Sequence, residues 1–309
     1  MTLVSRVGIG LYPPDARSAL ELVTRAEAAG VGTFWAVMSP IDRDTPTILA
    51  AASVSTTSIR LGTAVVPAFT RHPLALATQA LALEDLAPGR IRLGIGASHQ
   101  ITMLPAYGIS SERPLEQLRE YVQVLRPALQ QGAFSINGKF YSGEATLLST
   151  PGTPVLLSAL GEKAFQLAGE IADGVISWIC PPNYLMSVAL PAMQRGASLV
   201  SRPVPPLIAH TMVAPDTYPA RVRTMAREFL TYYQLRPFYR RMLSSAGFDV
   251  THQISDELID ALVIHGDDRA IINGLQERLG IFDELVVTVL HGDDQWAAEE
   301  RFFDAVRSL

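Results

Sequence analysis

The chain is short of several things, and each shortage removes a class of function. One cysteine, Cys180, stands in 309 residues. No intrachain disulfide framework is possible, and no thiolate cluster exists to hold zinc or an iron–sulfur centre. Cysteine usage of this kind fits a reducing, cytoplasmic compartment. Only two lysines occur, Lys139 and Lys163, and the formal net charge is −5. A nucleic-acid partner would need a clustered basic face, so none is expected. No stretch approaches the roughly 18 consecutive apolar residues of a membrane span. Met1 to Tyr12 also lacks the basic start and long apolar core of a secretion signal. No membrane partner is expected, and there are no low-complexity tracts or charge runs.

What is present is apolar. Hydrophobic residues make up 48% of the chain and charged residues 18%, enough for a large buried core with little disorder. Short β-prone apolar runs alternate with amphipathic stretches. Strands are predicted at 7–12, 33–37, 59–66, 91–96, 154–158, 174–178, 206–213 and 284–290. Helices are predicted near 46–55, 73–86, 115–131, 163–171, 184–199, 218–233 and 270–279, with a first one ending at Gly30. Polarity does not alternate within the strands, which argues for parallel strands buried on both faces. An open doubly wound sheet competes with a closed barrel. Eight units favour closure, as does the lack of a Gly-x-Gly-x-x-Gly turn after the first strand, which runs into Pro13-Pro14. The expected fold is therefore an α/β (β/α)8 TIM barrel forming one domain over 1–309.

Two segments break the rhythm. Asn137-Gly138 between β-prone flanks predicts a type I′ hairpin, an excursion between strands four and five. From Leu235 to Ala261, two short helical pieces rich in aromatics and arginine, including Phe238, Tyr239, Arg240 and Arg241, predict a helical insertion after strand seven, placed as a lid. The acidic pairs Asp267-Asp268 and Asp293-Asp294 are expected at helix N-termini.

Chemistry in such a barrel belongs at the C-terminal ends of the strands. The residues there include Met38, Ser39, Gly96, Ala97, Ser98, His99, Ser158, Ala159, Trp178 and His291. They contain no metal cluster, no carboxylate pair and no Ser/His/Asp set. An organic cofactor is the natural supposition, since cofactors bring the reactivity that side chains lack. The small residues of Gly94-Ile95-Gly96 let a ligand approach the backbone, or simply form a tight turn. Ser158-Ala159-Leu160-Gly161 opens a helix whose free N–H groups could cradle a phosphate, although every βα loop ends at a helix N-terminus.

Four motifs, in order, carry a family resemblance. Leu61-Gly62-Thr63-Ala64-Val65-Val66-Pro67-Ala68-Phe69-Thr70-Arg71-His72-Pro73 resembles the third-strand signature of the luciferase-like family, whose F420-dependent members end it in a similar Thr-Arg-His-Pro. Asp85 through Gly96 is similar to the approach to its fourth strand, Arg113-Pro114 through Tyr121 to its fourth helix, and Leu167 through Gly174 to its sixth-strand entry. The similarity as a whole covers about residues 5 to 290.

The resemblance implies a deazaflavin, coenzyme F420, lying across the barrel mouth, with FMN as the alternative. Its ring would rest on Ala64, Val65 and Val66, with a non-proline cis peptide expected at Ala64–Val65. Its phosphate would sit between Gly96, Ala97, Ser98, His99 and Ser158, Ala159, Leu160, Gly161. Branches of the family carry an acidic residue where His99 stands and an Asp-His pair where Met38-Ser39 stands. These departures count against sugar-phosphate dehydrogenation. His99 is the candidate catalytic residue, as proton donor or acceptor, or else a hydrogen-bonding ligand of the cofactor tail. Trp178 is placed against ring or substrate, or as plain mouth packing. Met38, Ser39, Tyr232 and Leu235 complete the candidate substrate set, with Tyr239 beside them. His72 is expected as a structural cap or a brace of the cofactor loop rather than a catalyst, and His210 as a satisfied core residue. The implied activity is hydride transfer between F420 and a small organic substrate, with reduction of a C=C or C=N bond in secondary metabolism as one form. An FMN-dependent monooxygenase and a non-catalytic barrel are the alternatives, and a homodimer is expected from the resemblance alone.

Overall fold

A computed structural model describes residues 2–12, 14–110 and 112–309, with the Leu11 side chain left out; Pro13, where the first strand was expected to run on, lies outside the described residues. The eight barrel strands are Val7–Leu11, Thr33–Ala36, Arg60–Thr63, Ile91–Gly96, Val155–Ser158, Gly174–Ile176, Leu207–Ala214 and Glu284–Val289. All pair in parallel, each with the next, and the eighth returns to the first through Val7 opposite Leu285. Closure, rather than an open sheet, follows from the pairing of strands six and seven through Leu207 and Val175.

Closure is possible because the strands bury both faces. Every residue of the fourth and seventh strands is buried. Inside the lower barrel, Trp35 lies between two glycines. A Cβ on Gly8 would stand 2.6 Å from its indole nitrogen, and one on Gly62 would collide with its ring. Small residues on two strands thus make room for one large side chain from the strand between them. The Arg92 guanidinium lies 4.8 Å from the Trp35 ring and pairs with Glu284 across the interior. Arg60 reaches the same carboxylate at 3.5 Å. These charges sit near the N-terminal ends of their strands, the face that serves stability in this architecture.

The structure refines several sequence expectations. The predicted third strand is interrupted after Thr63; a cis peptide joins Ala64 to Val65, and Val66–Pro67 then pair with strand four. The hairpin forms between strands four and five, as Ala133–Asn137 against Ser142–Thr146. Its turn is not the expected two-residue type I′. Asn137 pairs with Ser142 and leaves a four-residue loop, whose Gly138 N–H donates to the Tyr141 carbonyl at 2.9 Å. The cause is Glu120, whose carboxylate accepts the N–H groups of Lys139, Phe140 and Tyr141 and so sets the loop from outside the hairpin.

Other elements were not anticipated: helix Gln100–Tyr107 and a short strand, Val263–His265, whereas helix Gln295–Arg307 begins at the acidic pair expected to open a helix. That strand pairs with Met212–Ala214, on the edge of strand seven that strand six occupies lower down. It extends the barrel wall upward where strand six ends early. The helix expected at 184–199 starts at Pro182, and its Leu185–Ala189 turn is π-helical just before Pro191, which lacks an N–H to donate. Asp267 and Asp294 each cap a helix by accepting an N–H three residues on, at 2.9 Å.

Candidate active site

Two sides of the barrel mouth differ in construction. On one side, strands three, four and five end in small residues. A Cβ on Gly96 would collide with Ser158 Oγ and stand 2.9 Å from Val65 Cγ2, so these residues of three neighbouring strands meet at one point. Thr63 supports them from below, its hydroxyl donating to the Gly94 carbonyl at 2.7 Å. Ser98 takes a left-handed backbone, φ 61°, uncommon for a residue with a Cβ. Beyond Ser158, helix Glu162–Ile171 begins with Gly161 as N-cap, and no side chain caps it. The Glu162 and Lys163 N–H groups of its first turn have no partner within the helix, while those of Ala164 and Phe165 donate to the Gly161 carbonyl at 2.9 and 3.0 Å. A Cβ on Gly161 would meet nothing within 4 Å. Tyr184, whose ring is buried, donates its hydroxyl to the Leu160 carbonyl at 3.0 Å and holds this loop in place.

The other side is aromatic. Trp178 lies two residues beyond strand six and packs on His210, ring centroids 3.9 Å apart. Its indole N–H donates to the Tyr233 hydroxyl at 2.9 Å, and Tyr233 in turn meets the Tyr12 hydroxyl at 3.4 Å. His210 is satisfied at both ring nitrogens: Nδ1 accepts from Ile179 N–H at 3.3 Å, and Nε2 meets Thr288 Oγ1 at 3.0 Å. Burial pushes its imidazole down to about 3. Ile179 is β-branched yet left-handed, φ 56°, and fully buried, so its neighbours impose the conformation. The inserted helix Pro237–Ser245 adds Tyr239, buried against Tyr233 at 4.9 Å and 5.6 Å from the His99 ring.

His99 stands where the two sides meet, as N-cap of helix 100–107 but without a side-chain cap bond. Its Nδ1 is buried and has no partner. Burial, with the Arg236 guanidinium nearby, pushes the imidazole down to about 4, so it is neutral at physiological pH. The other sequence-chosen residues divide. Met38 and Ser39 are half-buried at the end of strand two, with Met38 Sδ 3.4 Å from the Thr45 hydroxyl. Tyr232 packs edge-on to Tyr233, while Leu235 is 71% exposed at the C-terminus of its helix, apart from the aromatic cluster. His72 caps helix Pro73–Leu86, Nδ1 accepting Leu74 N–H at 3.2 Å. Tyr233 and Arg236 were missed by sequence reading; for Arg236 its place within the insertion was the one available signal, and Tyr233 lies in the last turn of the helix before it.

The hollows follow the same division. A cavity of about 50 Å³ lies under Phe238 of the insertion, bounded by Phe69, Ala97, Ser98, Gln100 and Met103. A larger one of about 400 Å³ lies outside the barrel between the first and last helices, around Arg25 and Trp296. It contains no strand-end residue. The chemistry is therefore sought at the mouth, where the smaller cavity sits.

A closed parallel (β/α)8 barrel with small residues at one side of its mouth and an aromatic wall at the other is the class of protein the fold defines. The family model for luciferase-like monooxygenases matches residues 1–281, and the chain belongs to that family. An uncharacterized protein of Mycobacterium tuberculosis is 26% identical over 312 residues, covering 90% of this chain and 91% of its own. A putative coenzyme F420-dependent oxidoreductase of the same organism is 35% identical over 182 residues, covering 53% of this chain and 51% of its own. Among solved structures, the coenzyme F420-dependent tetrahydromethanopterin reductase from Methanopyrus kandleri superposes with a TM-score of 0.83 at 22% identity, over 97% of both chains. At that identity the likeness speaks for the fold.

Proposed function

We propose that the protein is an F420-dependent oxidoreductase that moves a hydride between a deazaflavin and a small organic substrate, such as one with a C=C or C=N bond. The observation that carries this reading is the small-residue platform of Val65, Gly96 and Ser158 beside an uncapped helix N-terminus. Those residues fit a flat ring with a phosphate tail. Ala64, Val65 and Val66 would support the ring. Gly96, Ala97, Ser98, His99 and the stretch Ser158, Ala159, Leu160, Gly161 would hold the phosphate, through open backbone N–H groups and the helix dipole. The 35% identical relative named for F420 supports the choice of cofactor.

When bound, the deazaflavin supplies two-electron hydride chemistry. The chain's own part is to bind, orient and exclude water. Trp178, fixed by His210 on its face and Tyr233 at its N–H, forms a rigid wall for the reacting end of the substrate. Met38 and Ser39 present no charge to it. Neutral His99, with Nδ1 free of other bonds, is placed to hydrogen-bond a polar atom of cofactor or substrate.

The description of the family as monooxygenases favours FMN as the second reading. Fluorescence titration of the purified protein with F420 and, separately, with FMN decides between them. Tighter binding of FMN would replace the deazaflavin reading.

We also infer a cytoplasmic homodimer. Among the described residues no helix is long and apolar enough to cross a membrane. Helix Thr45–Ser55 has no charged residue, and its neighbour Pro73–Leu86 has only Glu84, which is buried, and Asp85. Helices apolar around their circumference need cover on both sides, yet Val54 is 72% and Leu86 45% exposed. A second copy of the same face would supply the cover. Light scattering should return twice the chain mass, and a monomer would overturn the inference.

A further inference from the structure

The arginines of this chain are mostly spoken for. Arg25, Arg60, Arg92, Arg126, Arg227 and Arg301 each reach a carboxylate. Arg236 differs. It precedes the inserted helix 237–245, half-buried, and forms no ion pair among the described residues; its guanidinium lies over the Tyr232 ring at 4.3 Å. Its Nε is buried without a hydrogen-bond partner. His99 Nδ1, at the seam between the two sides of the mouth, is buried and unpartnered as well. Ring contacts link the two groups: Tyr232, under the guanidinium, packs on Tyr233 at 5.1 Å, Tyr233 on Tyr239 at 4.9 Å, and Tyr239 lies 5.6 Å from the His99 ring. The guanidinium disfavours protonation of the imidazole, and Tyr12 feels the same cation. Asp42, the acid that bears on Tyr12, is paired with Arg43 instead. Buried polar atoms are rarely left unbonded, because each costs about 1–3 kcal/mol of desolvation. Two of them beside one uncompensated cation describe a socket for an oxygen anion.

We propose that Arg236 and His99 form the anion-recognition end of the substrate site, so that the substrate carries a carboxylate remote from its reacting carbon. The inference rests on the mouth being the substrate site. It deepens the reading from strand ends, which are uncharged because the cation comes from the insertion. Trp178, Met38 and Ser39 then face the apolar, reacting part of the molecule, and the guanidinium takes the far end through charge-assisted hydrogen bonds. His99 reads the anion without itself being charged.

Benzoate is the probe, with benzamide as its neutral counterpart of the same shape. Protein labelled with 15N-histidine is titrated with each, alone and again in the presence of F420, and the His99 imidazole signal, assigned with His99→Gln, is followed. Benzoate should shift that signal saturably and benzamide should not. Arg236→Gln should weaken benzoate by at least about ten-fold, Arg236→Lys by less, and Arg241→Gln, on the exposed part of the same helix, not at all. Circular dichroism of Arg236→Gln shows whether it folds, and Arg236→Lys carries the test if it does not. Equal response to benzamide, an unchanged response in the folded Arg236→Gln or equal loss in Arg241→Gln, or silence under both conditions would overturn the proposal. Because benzoate is read directly, binding of benzoate without F420, or of F420 without benzoate, separates failure of the cofactor reading from failure of this one.

Discussion

The two halves of the barrel mouth are built on opposite plans. Where strands three, four and five end, the chain removes side chains: neighbours pack directly against the backbone of Gly94 and Gly96, and Gly161 leaves open space. Where strands six and seven end, it adds them, stacking Trp178, His210, Tyr233 and Tyr239 into a wall joined by ring contacts and hydrogen bonds. The first half can receive a ligand without rearranging its own packing. The second half is itself a small core. Substitutions should therefore be felt as binding on one side and as stability on the other.

Trp178→Ala gives the largest effect expected. It removes a side chain only 9% exposed, leaves the His210 face uncovered and leaves the Tyr233 hydroxyl with only its longer contact to Tyr12, at 3.4 Å. Truncations of this size cost about 3–5 kcal/mol, to be read from urea unfolding. Gly161→Asp should do the reverse. A Cβ there meets nothing within 4 Å, so unfolding should barely change, while a carboxylate at the helix N-terminus competes with the cofactor phosphate for the same N–H groups. F420 affinity should fall by about ten- to a hundred-fold. Equal loss of stability and affinity in both variants would erase the distinction between the halves.

His99→Ala tests the seam. Turnover should drop several-fold, or the cofactor dissociation constant rise, without abolishing activity; no change in either would reduce His99 to loop structure. The smallest effect concerns pH. His99 and His210 are held down to about 4 and about 3 from an ordinary 6.5. Between the unfolded and folded values the unfolded chain binds more protons, so stability rises with pH there. The contribution of these two groups is complete above pH 6.5 and is lost progressively as pH falls toward 4. The thermal midpoint should decline from pH 6.5 to 5, and His210→Gln should flatten that decline. A midpoint constant across the window would contradict the buried neutral state.

The same contrast explains how much could be read in advance. The small residues of the platform were legible because their signals are local: glycines at strand ends and a helix opening at Gly161. The break at Ala64–Val65 was expected from the family resemblance of the run from Leu61 to Pro73, and local propensity alone favours an unbroken strand there. The eight strands were legible from local signals too, each an apolar run between turn residues. The aromatic wall was not. Tyr233 reaches Trp178 across 55 residues of sequence, and nothing local marks Tyr233 rather than Tyr232 as the inward residue. Strand Val263–His265 escaped notice because three residues carry no period, and the hairpin turn was misjudged because Glu120, outside it, decides its shape. The charge of the mouth was underestimated because Arg236 belongs to the insertion and not to any strand end.

The central claim is that the glycine-lined platform is a deazaflavin site. Equilibrium titration of the purified chain with F420, followed by the cofactor's own fluorescence, tests it most directly. The account predicts saturable binding at one site per chain, weakened by Gly161→Asp and retained in His99→Ala. A wild-type protein that folds but leaves F420 fluorescence unchanged at every concentration would contradict it, and would make the barrel an FMN enzyme or a binding protein without this chemistry.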